Sequence, residues 1–170
     1  CPAESDGGRA GFKIVTALAA LERHRLDTGT SINCPGFSLI GGIRFRCWKE
    51  GGHGPQTLPE AFAHSCNVYF HNAGLRAGFD ALRNKALQFG FDENNGMDWP
   101  GEKKGFGPSR DWKRKTLKQG WYEGDTANLS IGQGYLQVSP AQSLVMVAAV
   151  ATGDILYPHV IEKIRGVSVS

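Results

Sequence analysis

The chain has 170 residues, 41% of them hydrophobic and 10% aromatic, which is enough to bury a core and too apolar for a disordered segment. Nineteen basic residues against sixteen acidic ones leave a formal charge of +3, too small a surplus to argue for nucleic acid. No run of about 18 apolar residues is present, and the opening Cys1-Pro2-Ala3-Glu4-Ser5-Asp6 lacks the basic-then-apolar form of a signal peptide. Any membrane span or export signal is therefore expected outside this sequence.

Taken in order, Phe12 to His24 is rich in Ala and Leu, with apolar residues all round its first two turns, and predicts a buried helix. Residues 27–57 hold no sustained period, only short runs such as Phe37-Ser38-Leu39-Ile40, and predict an irregular excursion with short strands. Thr57, Pro59 and Glu60 have the spacing of a capped helix start. That helix is expected to run to about Ala63, with Ser65 at or just beyond its end.

Val68 to Leu75 and Phe79 to Phe89 carry helical spacing and are punctuated by Gly78 and Gly90. Residues 92–120 are polar, Gly-rich and basic, and are expected to be mostly exposed. Lys103, Lys104, Arg110, Lys113, Arg114, Lys115 and Lys118 cluster there with Trp112 and Trp121; a solvated face is the simpler reading, contact with an anionic glycan-lipid phosphate or a membrane surface the other. Gly132-Gln133-Gly134 reads as a turn. Ser139-Pro140-Ala141-Gln142 starts a second capped helix, whose Leu144 to Ala151 stretch is apolar enough to be central to the core. Ile155 to Val160 and Ile161 to Val169 read as strands.

Four features occur in order: Gly8-Arg9-Ala10-Gly11-Phe12-Lys13, Ser65-Cys66-Asn67, Ile131-Gly132-Gln133-Gly134, and Val138-Ser139-Pro140-Ala141-Gln142. Together they resemble the transpeptidase domain of class B penicillin-binding proteins, most closely the penicillin-binding protein 2 branch that serves cell elongation. The resemblance covers about residues 11 to 160. It implies one partial α+β domain over 1–170 of the β-lactamase-like fold, with a central helix from Lys13, a helical lobe and an incomplete antiparallel sheet. It also implies a D,D-transpeptidase that cross-links peptidoglycan through a serine acyl-enzyme. The partners it implies are a peptidoglycan stem peptide or a β-lactam, and cell-wall elongation proteins, at the periplasmic face of the bacterial inner membrane.

By position, the resemblance makes Lys13 the proton-handling lysine, Ser65 the relay hydroxyl and Asn67 a donor to the substrate amide. The nucleophile's place, three residues before Lys13, is held by Ala10, whose methyl group cannot form an acyl ester. Ser5 is the nearby serine and has the wrong spacing. The Lys-Thr/Ser-Gly tripeptide that lines the site in the family is also absent from the 170 residues. The chain is therefore expected to be an incomplete domain and inactive as written. The alternative is a noncatalytic, zinc-stabilised module that binds glycan or a protein partner.

Cys34, Cys47, His53 and Cys66 form the pattern Cys-x12-Cys-x5-His-x12-Cys. Three thiolates and an imidazole suit a closed tetrahedral zinc site of structural type, within an excursion spanning 27–66. Metal-ligand residues in this region of some penicillin-binding protein 2 sequences point the same way. A Cys34–Cys47 disulfide and buried free thiols are the competing readings. His24, His64, His71 and His159 show no comparable pattern and read as surface or packed residues.

Overall fold

The structure is a computed structural model that describes residues 6–94, 96, 101–159, 163, 164, 167 and 168, with residues 6–10 and the last four described as backbone. Helix α1 (Asp6–Glu22) is sheathed by later helices, because its apolar residues leave no polar face: Phe12, Val15, Ala19 and Ala20 are all buried. Four short strands follow, β1 (Ile32–Cys34), β2 (Phe37–Ile40), β3 (Ile43–Arg46) and β4 (Gly54–Gln56). They form two antiparallel ladders, β1 with β4 and β2 with β3. The β2–β3 turn is Gly41-Gly42 with φ of 56° and 79°, the paired positive values a two-residue hairpin needs.

Next come α2 (Leu58–Ala63), α3 (Asn67–Ala77) and α4 (Phe79–Gln88). Glu60 Oε2 accepts from both the Thr57 amide and the Thr57 hydroxyl at 2.7 Å, so the predicted start of α2 stands. Gly78, at φ 84°, ends α3 and opens α4. Three further helices, α5 (Arg110–Leu117), α6 (Glu123–Ser130) and α7 (Pro140–Thr152), precede the short antiparallel pair β5 (Lys163–Ile164) and β6 (Val167–Ser168).

One buried apolar cluster joins side chains of α1, β1, α2, α3, α4, α6 and α7. Helix α3 packs most extensively on α6, at Gly74, where an added Cβ would stand 2.3 Å from that of Ser130. Thr16 Oγ1 donates to the Ser130 carbonyl at 2.8 Å and ties α1 to the same junction. The architecture is the expected α+β one, helices predominating over small antiparallel ladders.

Three expectations change. The 92–120 stretch is mostly exposed, as expected, but the solvated reading of its basic cluster fails at Lys113 on α5, which is 2% exposed because its ammonium donates to Asp125 Oδ2 at 2.5 Å and lies among aromatic rings. Helix α7 is buried on one side only, with Val145, Met146 and Ala149 inward while the equally apolar Leu144, Val147 and Val150 remain more than half exposed. Residues 155–159 form no strand; of the strand expected over 161–169 only Lys163–Ile164 and Val167–Ser168 are described, as an antiparallel pair, and residues 160–162, 165, 166 and 169 lie outside the described residues.

His71, in the middle of α3, is 2% exposed; its Nδ1 lies 3.4 Å from Ser38 Oγ and its ring meets Phe45 edge-on. Burial, with the Lys13 charge acting in the same direction, pushes its imidazole down to about 4 from 6.5. The unfolded chain therefore takes up this proton first as pH falls. The stabilisation is complete above about pH 6.5 and declines between about 6.5 and about 4, by up to roughly 3 kcal/mol. Urea unfolding across that window should show the native chain losing more stability than His71→Leu. Parallel curves for the two proteins would contradict a buried neutral imidazole.

Candidate functional site

Lys13 lies on the buried length of α1 and is 6% exposed, so its ammonium must find its partners inside the protein. It finds three oxygens: Ser65 O at 2.9 Å, Ser65 Oγ at 2.6 Å and Asn67 Oδ1 at 2.9 Å. It also stands 5.6 Å above the ring of Phe70. Residues 52 and 54 positions apart in sequence thus converge on one atom.

The convergence depends on how α2 gives way to α3. Ser65 has φ 48°, a left-handed conformation that a non-glycine residue seldom adopts, and its amide still closes onto Phe62 O at 3.0 Å. This tight reversal points both the Ser65 carbonyl and its hydroxyl at Lys13, while Cys66 serves as the N-cap of α3 and Asn67 opens its first turn. Burial pulls the Lys13 ammonium below its usual value of 10.5, and the neighbouring Cys47 and Cys66 offset part of that pull. An amine so placed, 2.6 Å from a hydroxyl, can exchange a proton with it. Ala10 stands in α1 one turn before Lys13.

Immediately beside this group, the ligand atoms of Cys34, Cys47, His53 and Cys66 all lie within 4.8 Å of one another. Both Cys34 Sγ and Cys47 Sγ are 3.6 Å from His53 Nδ1. Sulfur and nitrogen around a tetrahedral zinc stand roughly 3.5 Å apart, from bonds of about 2.3 Å and about 2.0 Å. The three cysteines are free thiols. The donor set fits zinc both in chemistry and in spacing.

Glycine makes the cluster possible. A Cβ on Gly52 would sit 2.1 Å from Cys34 O, and one on Gly36 would sit 2.3 Å from Glu50 O, so the two arms of the excursion close only without side chains there. The β1–β4 ladder then sets Cys34 opposite Gly54, next to His53.

Backbone amides complete the surroundings. Burial raises the Cys47 thiol, but amide donors at Lys49, Val68 and Asn67 outweigh it and leave the thiol below its usual 9.0. Cys66 is pushed up to about 12, chiefly by burial, so without a cation it stays protonated. Burial, then Lys49, His64 and Lys13, lower His53 and favour the neutral imidazole that a metal needs. Its Nε2 is buried with no hydrogen-bond partner among the described residues. The His53 ring stacks on His64 at 5.5 Å and meets Trp48 edge-on at 5.1 Å.

All seven expected site residues thus fall into two adjoining groups, joined through the run Ser65-Cys66-Asn67. The sequence did not reveal the parts played by Trp48, by His64 as a stacking partner, or by the α3 amides. None of these carries a spacing signal, and amide direction follows only from the fold.

The pattern of the penicillin binding protein transpeptidase domain matches residues 11–170. The chain is 34% identical over 158 residues to the peptidoglycan D,D-transpeptidase MrdA of Acinetobacter baumannii, covering 91% of this chain and 24% of that protein. It is likewise 34% identical over 160 residues to stage V sporulation protein D of Bacillus subtilis, covering 89% and 22%. Among solved structures it superposes on PBP2 of Pseudomonas aeruginosa in complex with WCK 5153 at TM-score 0.86, with 33% identity, over 95% of this chain and 37% of that one. The corresponding values for the complex between PBP2 and MreC from Helicobacter pylori are 0.84, 36%, 88% and 28%. The chain therefore spans about a quarter of the length of the curated relatives it matches.

Replacing Lys13 by Met keeps the apolar stem and removes the cation that holds Ser65 in its left-handed turn. The loss of two or three charge-assisted hydrogen bonds should cost at least about 2 kcal/mol in chemical denaturation. Hydrogen exchange should also quicken at the amides of residues 65–67. Unchanged protection there would show that the turn holds itself.

Proposed function

From the premise that this chain belongs to the penicillin-binding protein transpeptidase family, we propose that it carries the proton-handling half of an elongation-type peptidoglycan D,D-transpeptidase site, in a form that cannot acylate. The observation that carries this reading is the contact of Lys13 Nζ with Ser65 Oγ and Asn67 Oδ1. In the parent reaction a serine hydroxyl attacks the carbonyl of the penultimate D-alanine of a stem peptide and its proton passes to the lysine amine. The C–N bond to the terminal D-alanine then breaks, and a proton leaves with that amine. In this chain Lys13 would take up the proton, Ser65 would relay it, and the Asn67 amide would hold the substrate backbone. Ala10 offers no oxygen, so the first bond cannot form. The setting proposed is the periplasmic face of the inner membrane, with cell-wall elongation proteins as partners, by analogy with the complex of PBP2 with MreC. No helix among the described residues is long and apolar enough to cross a membrane.

Cys34, Cys47, His53 and Cys66 are proposed to hold a zinc ion. Four protein ligands leave no open position, so the zinc would supply folding energy and no catalytic water. This favours a second reading: a noncatalytic, zinc-stabilised module that binds glycan or a protein partner.

Two measurements test these readings. Intact-mass spectrometry after incubation with benzylpenicillin should show no adduct, whereas a stoichiometric adduct on any serine would overturn the inactive reading. Elemental analysis of protein purified without chelator should find about one zinc per chain, and Cys66→Ser should lower both the zinc content and the melting temperature. A Cys34–Cys47 disulfide in thiol mapping would rule the zinc site out.

A further inference from the structure

Away from Lys13 and the thiol cluster, α6, the turn at Gly132-Gln133-Gly134 and the segments just before and after α5 border a cavity of about 240 Å³, with Trp121, Asp125, Asn128, Gln133 and Tyr135 in its wall. Its aromatic walls are fixed in place. Trp121 packs on Phe79 at 4.1 Å and donates Nε1 to Thr126 Oγ1 at 2.9 Å, while Tyr135 meets Trp112 edge-on at 5.1 Å. A ligand entering such a site pays little to order it.

The charges at the cavity cancel. Lys113 Nζ is boxed between the rings of Tyr122, Tyr135 and Trp121 at 4.8, 5.7 and 6.0 Å and is bonded to Asp125 Oδ2, which also accepts from the Tyr122 amide at 2.7 Å. A paired ammonium does not recruit phosphate, and a paired carboxylate does not recruit a metal. The carboxamides of Asn128 and Gln133 differ from these groups: neither makes a side-chain hydrogen bond within the described residues, and each can both donate and accept. A neutral ligand with an apolar face and hydroxyl or acetamide groups around its rim satisfies both features.

We infer that this cavity is a saccharide subsite, one that seats a single pyranose ring of a neutral amino-sugar chain against Trp121 and Tyr135 with its polar rim on Asn128 and Gln133. The choice of a cell-wall glycan as the biological ligand rests on the function proposed above, whereas the pyranose chemistry rests on the cavity itself. The sugar would be held by neutral contacts alone, so recognition would be insensitive to salt.

The test is a titration of the full chain with the β-1,4-linked trisaccharide of N-acetylglucosamine, followed by NMR. Saturable binding is expected, with amide shifts centred on residues 121–135. The double substitution Asn128→Ala and Gln133→Ala should weaken it about tenfold or more without moving the melting temperature, since neither side chain supports the fold. Absence of saturable binding, full affinity in the double variant, or shifts centred on residues 13, 65 and 67 would each overturn the subsite. A penicillin adduct would leave this result untouched, so the subsite and the acylation reading fail separately.

Discussion

A buried ammonium fixes the layout of this protein. Lys13 sits on a helix that is apolar on every side, and desolvating its charge would be prohibitive without oxygen partners. The nearest supply is the reversal between α2 and α3, which delivers a carbonyl, a hydroxyl and a carboxamide to a single atom. That demand explains why Ser65 is left-handed: a relaxed turn would carry its oxygens elsewhere. It also explains why Gly74 and Thr16 matter at a distance. The close approach of α3 to α6 and the tether from α1 to Ser130 set the angle at which the first turn of α3 meets Lys13.

The excursion between α1 and α2 obeys a different constraint. Its four strands are three or four residues long and bury little, so packing alone is a weak reason for one conformation. Instead it closes on backbone contacts that only Gly36 and Gly52 permit, and on a knot of three thiols and an imidazole. Cys66 belongs to this knot and at the same time caps α3, so disturbance of the knot reaches Ser65 and Asn67 through one peptide bond on either side. The order of the excursion and the order of the Lys13 contacts are therefore one property.

Much of this was legible in the sequence, for reasons that differ from residue to residue. Thr57 and Glu60 announce α2 because capping is local chemistry, and Gly78 and Gly90 mark helix ends because positive φ is. Lys13, Ser65 and Asn67 could be grouped through family resemblance, and the thiols and His53 through ligand type. The burial of Lys113 was not legible: a lysine in a basic, Gly-rich stretch reads as solvated until Asp125 and three rings close around it. Helix α7 misled in the opposite sense. Its composition is uniformly apolar, and composition alone does not say that Leu144, Val147 and Val150 would face outward.

The two buried lysines show why burial by itself is a poor guide to function. Lys113 is the more deeply buried, and its ammonium is bonded to a carboxylate, Asp125 Oδ2, at 2.5 Å. Lys13 is bonded only to uncharged oxygens, and burial draws its proton affinity down against a partial offset from Cys47 and Cys66. An amine whose proton affinity is lowered by burial can exchange a proton with a neighbouring hydroxyl, and the hydroxyl best placed to trade with it is Ser65, at 2.6 Å. The difference lies in what surrounds each ammonium: uncharged oxygens at Lys13, and at Lys113 a carboxylate that locks α5 onto α6.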